Sequence, residues 1–311
     1  MTPSPSSGDD TLAWGVLADM TARRLEAAGI DNAAAEARWM VEVASGMHTG
    51  GLAAEHDLPA TVGGVKRVES MVDRRRAGEP LQYVLGEWSF RTLDLMVDPR
   101  VLIPRPETEQ VVQRALDELA KLCPPGSGRA PVVVDLGTGS GAIALSVAAE
   151  RSDAVVVATD VSGDALAVAA ANLAGLGTAG GGVTLVSGSW FGALEANHAH
   201  LAGSVDLVIS NPPYIADHEQ LPAEVINHEP VGALVSGPTG TEAVDEIVGG
   251  AGEWLRVGGV LVVEIAPHQA DHVVSLAGRV GFDGAHVADD LAGRARTLVA
   301  RWPGRRPHPD R

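Results

Sequence analysis

Asn211-Pro212-Pro213-Tyr214 is the segment of this chain whose residue types point most directly to chemistry. Two successive prolines remove two backbone donors and hold φ at about −65°. What remains is rich in acceptors: the Asn211 side-chain oxygen and the Pro212 carbonyl. Such a pair can take both hydrogens of a planar NH2 group, and Tyr214 offers a flat ring to stack on its conjugated system. Held that way, a nitrogen turns its lone-pair face toward an incoming methyl donor. Positioning alone can then supply much of the rate gain, without a general base. The plainer alternative is a proline-fixed turn that only shapes a loop.

A second signature is Asp135-Leu136-Gly137-Thr138-Gly139-Ser140-Gly141, which follows the apolar run Val132 to Val134 and leads at once into an alanine-rich helix. Glycines there let the backbone turn sharply and approach a ligand closely. Asp160 lies nineteen residues past Gly141, at the end of the next apolar run, where a carboxylate can accept from ribose hydroxyls. Together they imply an adenosine-containing cofactor, against the alternative of a simple tight turn. Dinucleotide sites use Gly-x-Gly-x-x-Gly; here the spacing is Gly137-x-Gly139-x-Gly141, which disfavours a nicotinamide-dependent oxidoreductase. The negative Asp135 beside the turn suits a cationic methionine sulfonium, or its amino group, better than a pyrophosphate.

The elements that must carry these loops can be read from hydrophobic rhythm. From Leu12 to Gly78 the pattern is helical. Asp31 is placed to cap a helix with Ala37, Met40, Val41 and Ala44 on one face and Gly46 at its end. Val65, Val68 and Val72 form another stripe, and Arg74, Arg75 and Arg76 complement the dipole at its last turn as a solvated cluster. Gln82 to Phe90, with Leu93, Leu95 and Val97 beyond, reads as a β-hairpin bridging two domains. Glu107, Thr108 and Glu109 stand where the next helix begins. Strands are expected at Val132 to Val134, Val155 to Ala158, Val183 to Val186, Val205 to Ile209 and Val260 to Ile265. Helices between them span Ala142 to Ala149, Ala165 to Leu173, and a segment from Thr241 carrying Val244, Ile247, Val248, Ala251 and Leu255 until Gly258-Gly259. Continuous apolar strands between helices imply a parallel sheet covered on both faces, with Arg296 to Trp302 as an edge strand. Ligands bind outside the carboxyl ends of such strands, so Asn211 and Gly137 share one crevice.

The 311 residues carry a net charge of −17, which disfavours a phosphate backbone as partner, so no nucleic acid is expected. Cys123 is the only cysteine, so an internal disulfide and a cysteine-based zinc site are excluded and a reducing, cytoplasmic setting is the simplest reading. Met1 to Asp10 lacks an apolar core and does not read as a secretory signal. No apolar stretch is long enough for a membrane span. The ten histidines show no metal-binding helix spacing, so no metal is expected. His228-Glu229 reads as a loop brace rather than an acid/base pair, and Trp88 and Trp254 as packing residues.

The chain resembles the HemK/PrmC family of peptide chain release factor glutamine methyltransferases over nearly its whole length. The resemblance lies in Pro80 to Gly86, Leu102-Ile103-Pro104-Arg105-Pro106-Glu107-Thr108-Glu109, the Gly137 turn, Ser210 to Ile215, and His228-Glu229-Pro230 followed by Ala233-Leu234. It implies an α/β fold: a Rossmann-like S-adenosylmethionine-dependent methyltransferase domain with a small N-terminal helical domain and a β-hairpin linker. The implied division is 1–10 tail, 11–79 helical substrate-recognition domain, 80–104 hairpin linker, 105–303 methyltransferase domain and 304–311 tail. S-adenosyl-L-methionine would lie over Gly137, Thr138, Gly139, Ser140 and Gly141, with its ribose at Asp160 and its adenine beside Trp190. Asn211 would touch both substrates. Asn211, Pro212, Pro213 and Tyr214 would hold the acceptor glutamine of a Gly-Gly-Gln loop in class I release factors, with Asn211, Pro212 and Tyr214 as the catalytic set. Arg105 and Glu107 match a segment near the cofactor. Two departures stand out: Ser189, where family members often carry an acidic residue, and Ser236 to Gly240, which is less acidic than the family pattern. Amino-directed nucleic-acid methyltransferases share the Asn-Pro-Pro-Tyr chemistry and form the main rival, with an inactive cofactor-binding module as a further one.

Overall fold

The computed structural model describes residues 12–304. The tails expected at 1–10 and 304–311 lie outside them, apart from Gly304. Two compact units divide the chain, the first ending at Gly86 and the second beginning at Glu87. Residues 80–86 therefore group with the helices, and the hairpin groups with the sheet.

The first unit holds α1 (Trp14–Glu26), α2 (Ala33–Ser45), α3 (Leu52–Glu55), α4 (Val62–Arg76) and α5 (Leu81–Leu85). Leu17 and Leu25, Met40 and Val41, and Val68, Met71 and Val72 are buried at helical spacing and form its core. Asn32, not Asp31, stands at the N-cap of α2, and no side chain caps it. The run from Leu81 to Leu85 is helical rather than extended, because its branched and aromatic side chains meet burial instead of a strand partner: Leu81, Tyr83, Val84 and Leu85 are all buried. Two of the three arginines ending α4 are not simply solvated. Arg74 donates to the Tyr83 and Val84 carbonyls at 2.8 and 3.2 Å, satisfying acceptors that the end of α5 leaves open. Arg75 pairs with the buried Glu36 of α2 at 2.8 Å.

The second unit opens with the hairpin β1 (Glu87–Phe90) and β2 (Leu93–Met96), followed by α6 (Pro106–Leu122). A βα succession follows: β3 (Val132–Leu136), α7 (Ala142–Glu150), β4 (Val155–Asp160), α8 (Gly163–Gly175), β5 (Val183–Ser187), α9 (Gly192–Glu195) and β6 (Val205–Ser210). Then come β7 (Ile215–Ala216), α10 (Ala223–His228), β8 (Val235–Gly237), α11 (Glu242–Trp254), β9 (Leu255–Glu264), α12 (Ala270–Val280), β10 (Asp283–Asp289) and β11 (Ala295–Arg301). The main sheet has the order β10-β11-β9-β6-β3-β4-β5. β9, β6, β3, β4 and β5 are parallel, and β11 is antiparallel to both neighbours. Strand order reverses at β3 and β6, which opens a crevice beyond their carboxyl ends.

Alternation along each strand feeds two cores. Val134, Val157, Val208 and Val263 face the layer containing α11 and α12. Val133, Val156, Leu207 and Val262 face the layer containing α6, α7 and the hairpin residues Phe90 and Leu95. Continuous β-branched runs thus serve two apolar faces at period two.

The structure corrects three element expectations here. Helix α11 stops at Trp254, and Leu255 already belongs to β9. Gly258-Gly259 sits inside that strand as an irregularity: Gly258 has φ +81°, and a Cβ on Gly259 would come within 2.9 Å of two backbone oxygens. The strand at 295–301 is interior rather than at the edge. The edge belongs to β10, whose mostly exposed, charge-bearing sequence carries little apolar signal. Among the described residues, no helix is long and apolar enough to cross a membrane.

Candidate active site

The crevice at the strand ends contains a cleft of about 440 Å³. One wall is the turn between β3 and α7. Gly137 and Thr138 donate to the Thr159 carbonyl at 2.9 Å, and Gly141 donates to Thr138 at 2.8 Å. Gly139 donates to Asp160 Oδ2 at 2.8 Å, and Ser162 donates to Asp160 Oδ1 at 2.9 Å. Each carboxylate oxygen of Asp160 keeps acceptor capacity beyond these bonds, so the group can also receive hydroxyls. Gly137 has φ +72°, and a Cβ there would meet the Trp190 ring at 3.2 Å. The indole thus lies against bare backbone. Trp190 itself has φ +41°, a conformation that costs a non-glycine residue about 1 kcal/mol and that fixes where the ring stands.

Asp135 plays a different part from the one expected. It is fully buried beneath the turn and absent from the cleft lining. Its Oδ2 accepts from Thr138 Oγ1 at 2.6 Å and from Ala144 N at 3.2 Å, which ties the turn to the first turn of α7. Burial pushes its carboxyl up to about 7 against the pull of the Thr138 bond. Its Oδ1 has no hydrogen-bond partner among the described residues.

The opposite wall is the loop after β6. Ser210 Oγ donates to the Leu136 carbonyl at 2.6 Å, which couples the two strand ends. Asn211 and Pro213 line the cleft, while Pro212 is buried and Tyr214 half-buried. Asn211 Nδ2 donates to Thr108 Oγ1 at 3.0 Å, and that hydroxyl donates to Glu264 Oε2 at 2.6 Å. The Asn211 oxygen is therefore left free to accept. Thr108 and Glu264 are both buried, and burial raises the Glu264 carboxyl to about 7, partly opposed by the Thr108 bond and by Arg296. The Tyr214 hydroxyl is likewise raised by burial, with the Glu264 charge adding to the shift.

Glu229 straps two cleft segments together. It accepts from Ile103 N at 3.3 Å and from Arg105 at 2.5 Å, with its side chain almost wholly buried. This is the brace expected of His228-Glu229. Glu107, in turn, pairs with Arg294 at 2.9 Å. Neither Arg105 nor Glu107 is on the lining, although Pro104 and Thr108 are.

The cleft thus brings together Gly137, Thr138, Gly139, Ser140, Asp160, Trp190, Asn211 and Pro213 among the residues anticipated from sequence. Gly141 lies behind the turn, packed on Leu145 and Ala169, and Pro212 and Tyr214 stand off the lining. Ser189 lines the cleft and is exposed. Sequence reasoning missed the Thr108–Glu264 link. Its one available signal was a carboxylate ending the otherwise apolar run Val260 to Val263, at the strand end where ligands gather.

Two family models match the chain: PrmC N-terminal domain over residues 17–86, and Methyltransferase small domain over residues 119–231. A release factor glutamine methyltransferase from Geobacter sulfurreducens is 37% identical, with the match covering 91% of this chain and 94% of that protein. One from Moorella thermoacetica is 40% identical, over 89% of this chain and 94% of that protein. Another from Synechocystis is 43% identical, over 73% of this chain and 76% of that protein. In fold, the chain is similar to the hMettl16 catalytic domain solved with a MAT2A 3′UTR hairpin, with a TM-score of 0.51 and 14% identity over 77% of this chain and 81% of that one. Sequence similarity sustained through both the helical unit and the cleft-bearing unit leaves one conclusion: the chain belongs to the release factor glutamine methyltransferase family.

Proposed function

We propose that this chain transfers a methyl group from S-adenosyl-L-methionine to the side-chain amide nitrogen of the glutamine in the Gly-Gly-Gln motif of class I peptide chain release factors, in the cytoplasm. The observation that carries this reading is the free acceptor on Asn211, set across one cleft from a glycine turn and a strand-end carboxylate.

The residues present fit an adenosine-bearing methyl donor. Bare backbone at Gly137 and Gly139 admits a close ligand, Asp160 has acceptor capacity for ribose hydroxyls, and Trp190 supplies a flat apolar surface. When bound, the donor supplies an electrophilic methyl carbon on a sulfonium.

On the acceptor side, Asn211 Oδ1 and the Pro212 carbonyl hold the two amide hydrogens of glutamine, and Tyr214 stacks on the amide plane. Pro212 and Pro213 contribute no N–H to compete for those acceptors. An amide nitrogen is a poor nucleophile, so the contribution of these residues is to fix its approach and exclude water. On transfer the amide nitrogen would give up one proton to solvent as it gains the methyl group, and the donor would leave as a neutral thioether.

The test is mass spectrometry of a release factor incubated with this protein and donor. One added methyl group, mapped to the Gly-Gly-Gln glutamine, is the expected result. Labelled methyl appearing in DNA or RNA and none in the release factor would overturn the reading.

A further inference from the structure

We propose that Thr108 and Glu264 are positioning residues that fix which end of the Asn211 amide is presented to the substrate, a role that rests on Asn211 holding the acceptor. The argument is a count of protons along a chain of three groups. Glu264 Oε2 and Thr108 Oγ1 are 2.6 Å apart, and Thr108 Oγ1 and Asn211 Nδ2 are 3.0 Å apart. An ionised carboxylate only accepts, and a hydroxyl has a single proton. Thr108 must spend that proton on Glu264 and can then only accept from Asn211. The amide is forced to give its NH2 to Thr108 and to leave Oδ1 for the substrate.

Protonation of Glu264 removes that constraint. The carboxylic acid can donate to Thr108, whose own proton is then free for Asn211 Oδ1. The amide can turn over and face the substrate with NH2, a donor against a donor. A glutamine at 264 would satisfy Thr108 equally well but would impose no direction, because its amide both donates and accepts. A buried carboxylate is costly, and nothing in the apolar packing of β9 calls for one.

The charges around Glu264 bear on its state. Arg296 of β11 and Arg105 before α6 favour the ionised form, whereas Glu107 of α6 opposes it; the Tyr214 hydroxyl stands in the same field. With its carboxyl near 7, both protonation states lie within the working range.

The experiment combines kinetics with nitrogen-15 NMR on the full chain. Thr108→Val keeps the side-chain shape and cuts the chain of bonds. It should lower kcat for release factor methylation by about 10- to 100-fold while donor affinity stays within about threefold. Thr108→Ser should restore kcat. The parent should gain kcat as pH rises through about 7, and Glu264→Gln should flatten that limb. In the parent, the Asn211 side-chain NH2 resonances, assigned by their loss in Asn211→Ala, should shift with the same midpoint; in Thr108→Val and Glu264→Gln they should not. Unchanged kcat in Thr108→Val, equal losses of kcat and donor affinity in both Thr108 variants, or Asn211 resonances indifferent to pH would each overturn the proposal. If the parent methylates no release factor, the functional reading fails, while the NMR arm still decides the positioning chain.

Discussion

The two walls of the cleft are built in different ways. The wall proposed to hold the donor is local: Asp160 and Gly139 are 21 residues apart, and the turn is closed by the N–H groups of Gly137, Thr138 and Gly139, which donate to the Thr159 carbonyl and the Asp160 carboxylate. The acceptor wall is assembled at long range from side chains. Asn211 and Thr108 are 103 residues apart, and Thr108 and Glu264 are 156 apart. A wall of backbone amides keeps its shape through most substitutions at its surface. A wall of side chains ordered by hydrogen-bond polarity depends on each member. Damage to the first should therefore appear in donor affinity, and damage to the second in turnover.

The sharpest way to break this contrast is Asn211→Ala. Turnover should fall about 100- to 1000-fold, the scale of losing one aligned polar group in an active site, with the donor dissociation constant within about threefold of the parent. Parallel isothermal titration and single-turnover assays read both numbers; a donor affinity that collapsed with turnover would merge the two walls into one. Next in size is Asp160→Ala, which removes the acceptor of two backbone N–H groups and the one proposed for the ribose hydroxyls. Donor affinity should drop about 10- to 100-fold, while kcat at saturating donor stays within a few-fold. The reverse pattern, normal affinity with lost kcat, would contradict the assignment of the donor wall.

The remaining effect, on stability and not on catalysis, concerns the buried carboxylate beneath the turn. The Asp135 carboxyl is raised from 3.8 to about 7 in the folded chain, so the native state holds a proton that the unfolded state releases across that window. Stability from this group is full below about pH 4 and is lost as pH rises toward 7, by about 1.4 kcal/mol per pH unit at most. Asp135→Asn removes the titration. Its melting temperature relative to the parent should climb as pH goes from about 4 to about 8; a constant difference would show that Asp135 stays ionised throughout.

The local wall is also the one that could be read in advance. Gly137, Gly139 and Asp160 announce themselves because turn geometry and strand ends are short-range consequences of residue type. The parallel sheet was legible for the same reason, in Val132 to Val134 and Val205 to Ile209. Where burial competed with propensity, the reading failed: Leu81 to Leu85 carries strand-like residues but folds as a buried helix. At the sheet edge the signal was missing instead, because β10 is a mostly exposed strand with almost no apolar pattern. The segment carrying Arg105 and Glu107 does line the cleft, at Leu102, Pro104 and Thr108, while those two side chains themselves engage Glu229 and Arg294.

By itself, the sequence determined the chemical repertoire: a glycine turn, a strand-end acid, an acceptor-rich Asn-Pro-Pro-Tyr loop and the alternating apolar strands that carry them. Those follow from interactions within a few residues, where spacing in the chain is spacing in space. Only the tertiary structure decided that Asp135 lies under the turn rather than in the cleft, and that Thr108 and Glu264 meet behind Asn211. The bonds from Thr108 to Glu264 and to Asn211 join residues 156 and 103 apart; both they and the burial of Asp135 are selected by how the layers of the sheet pack, which no local pattern encodes.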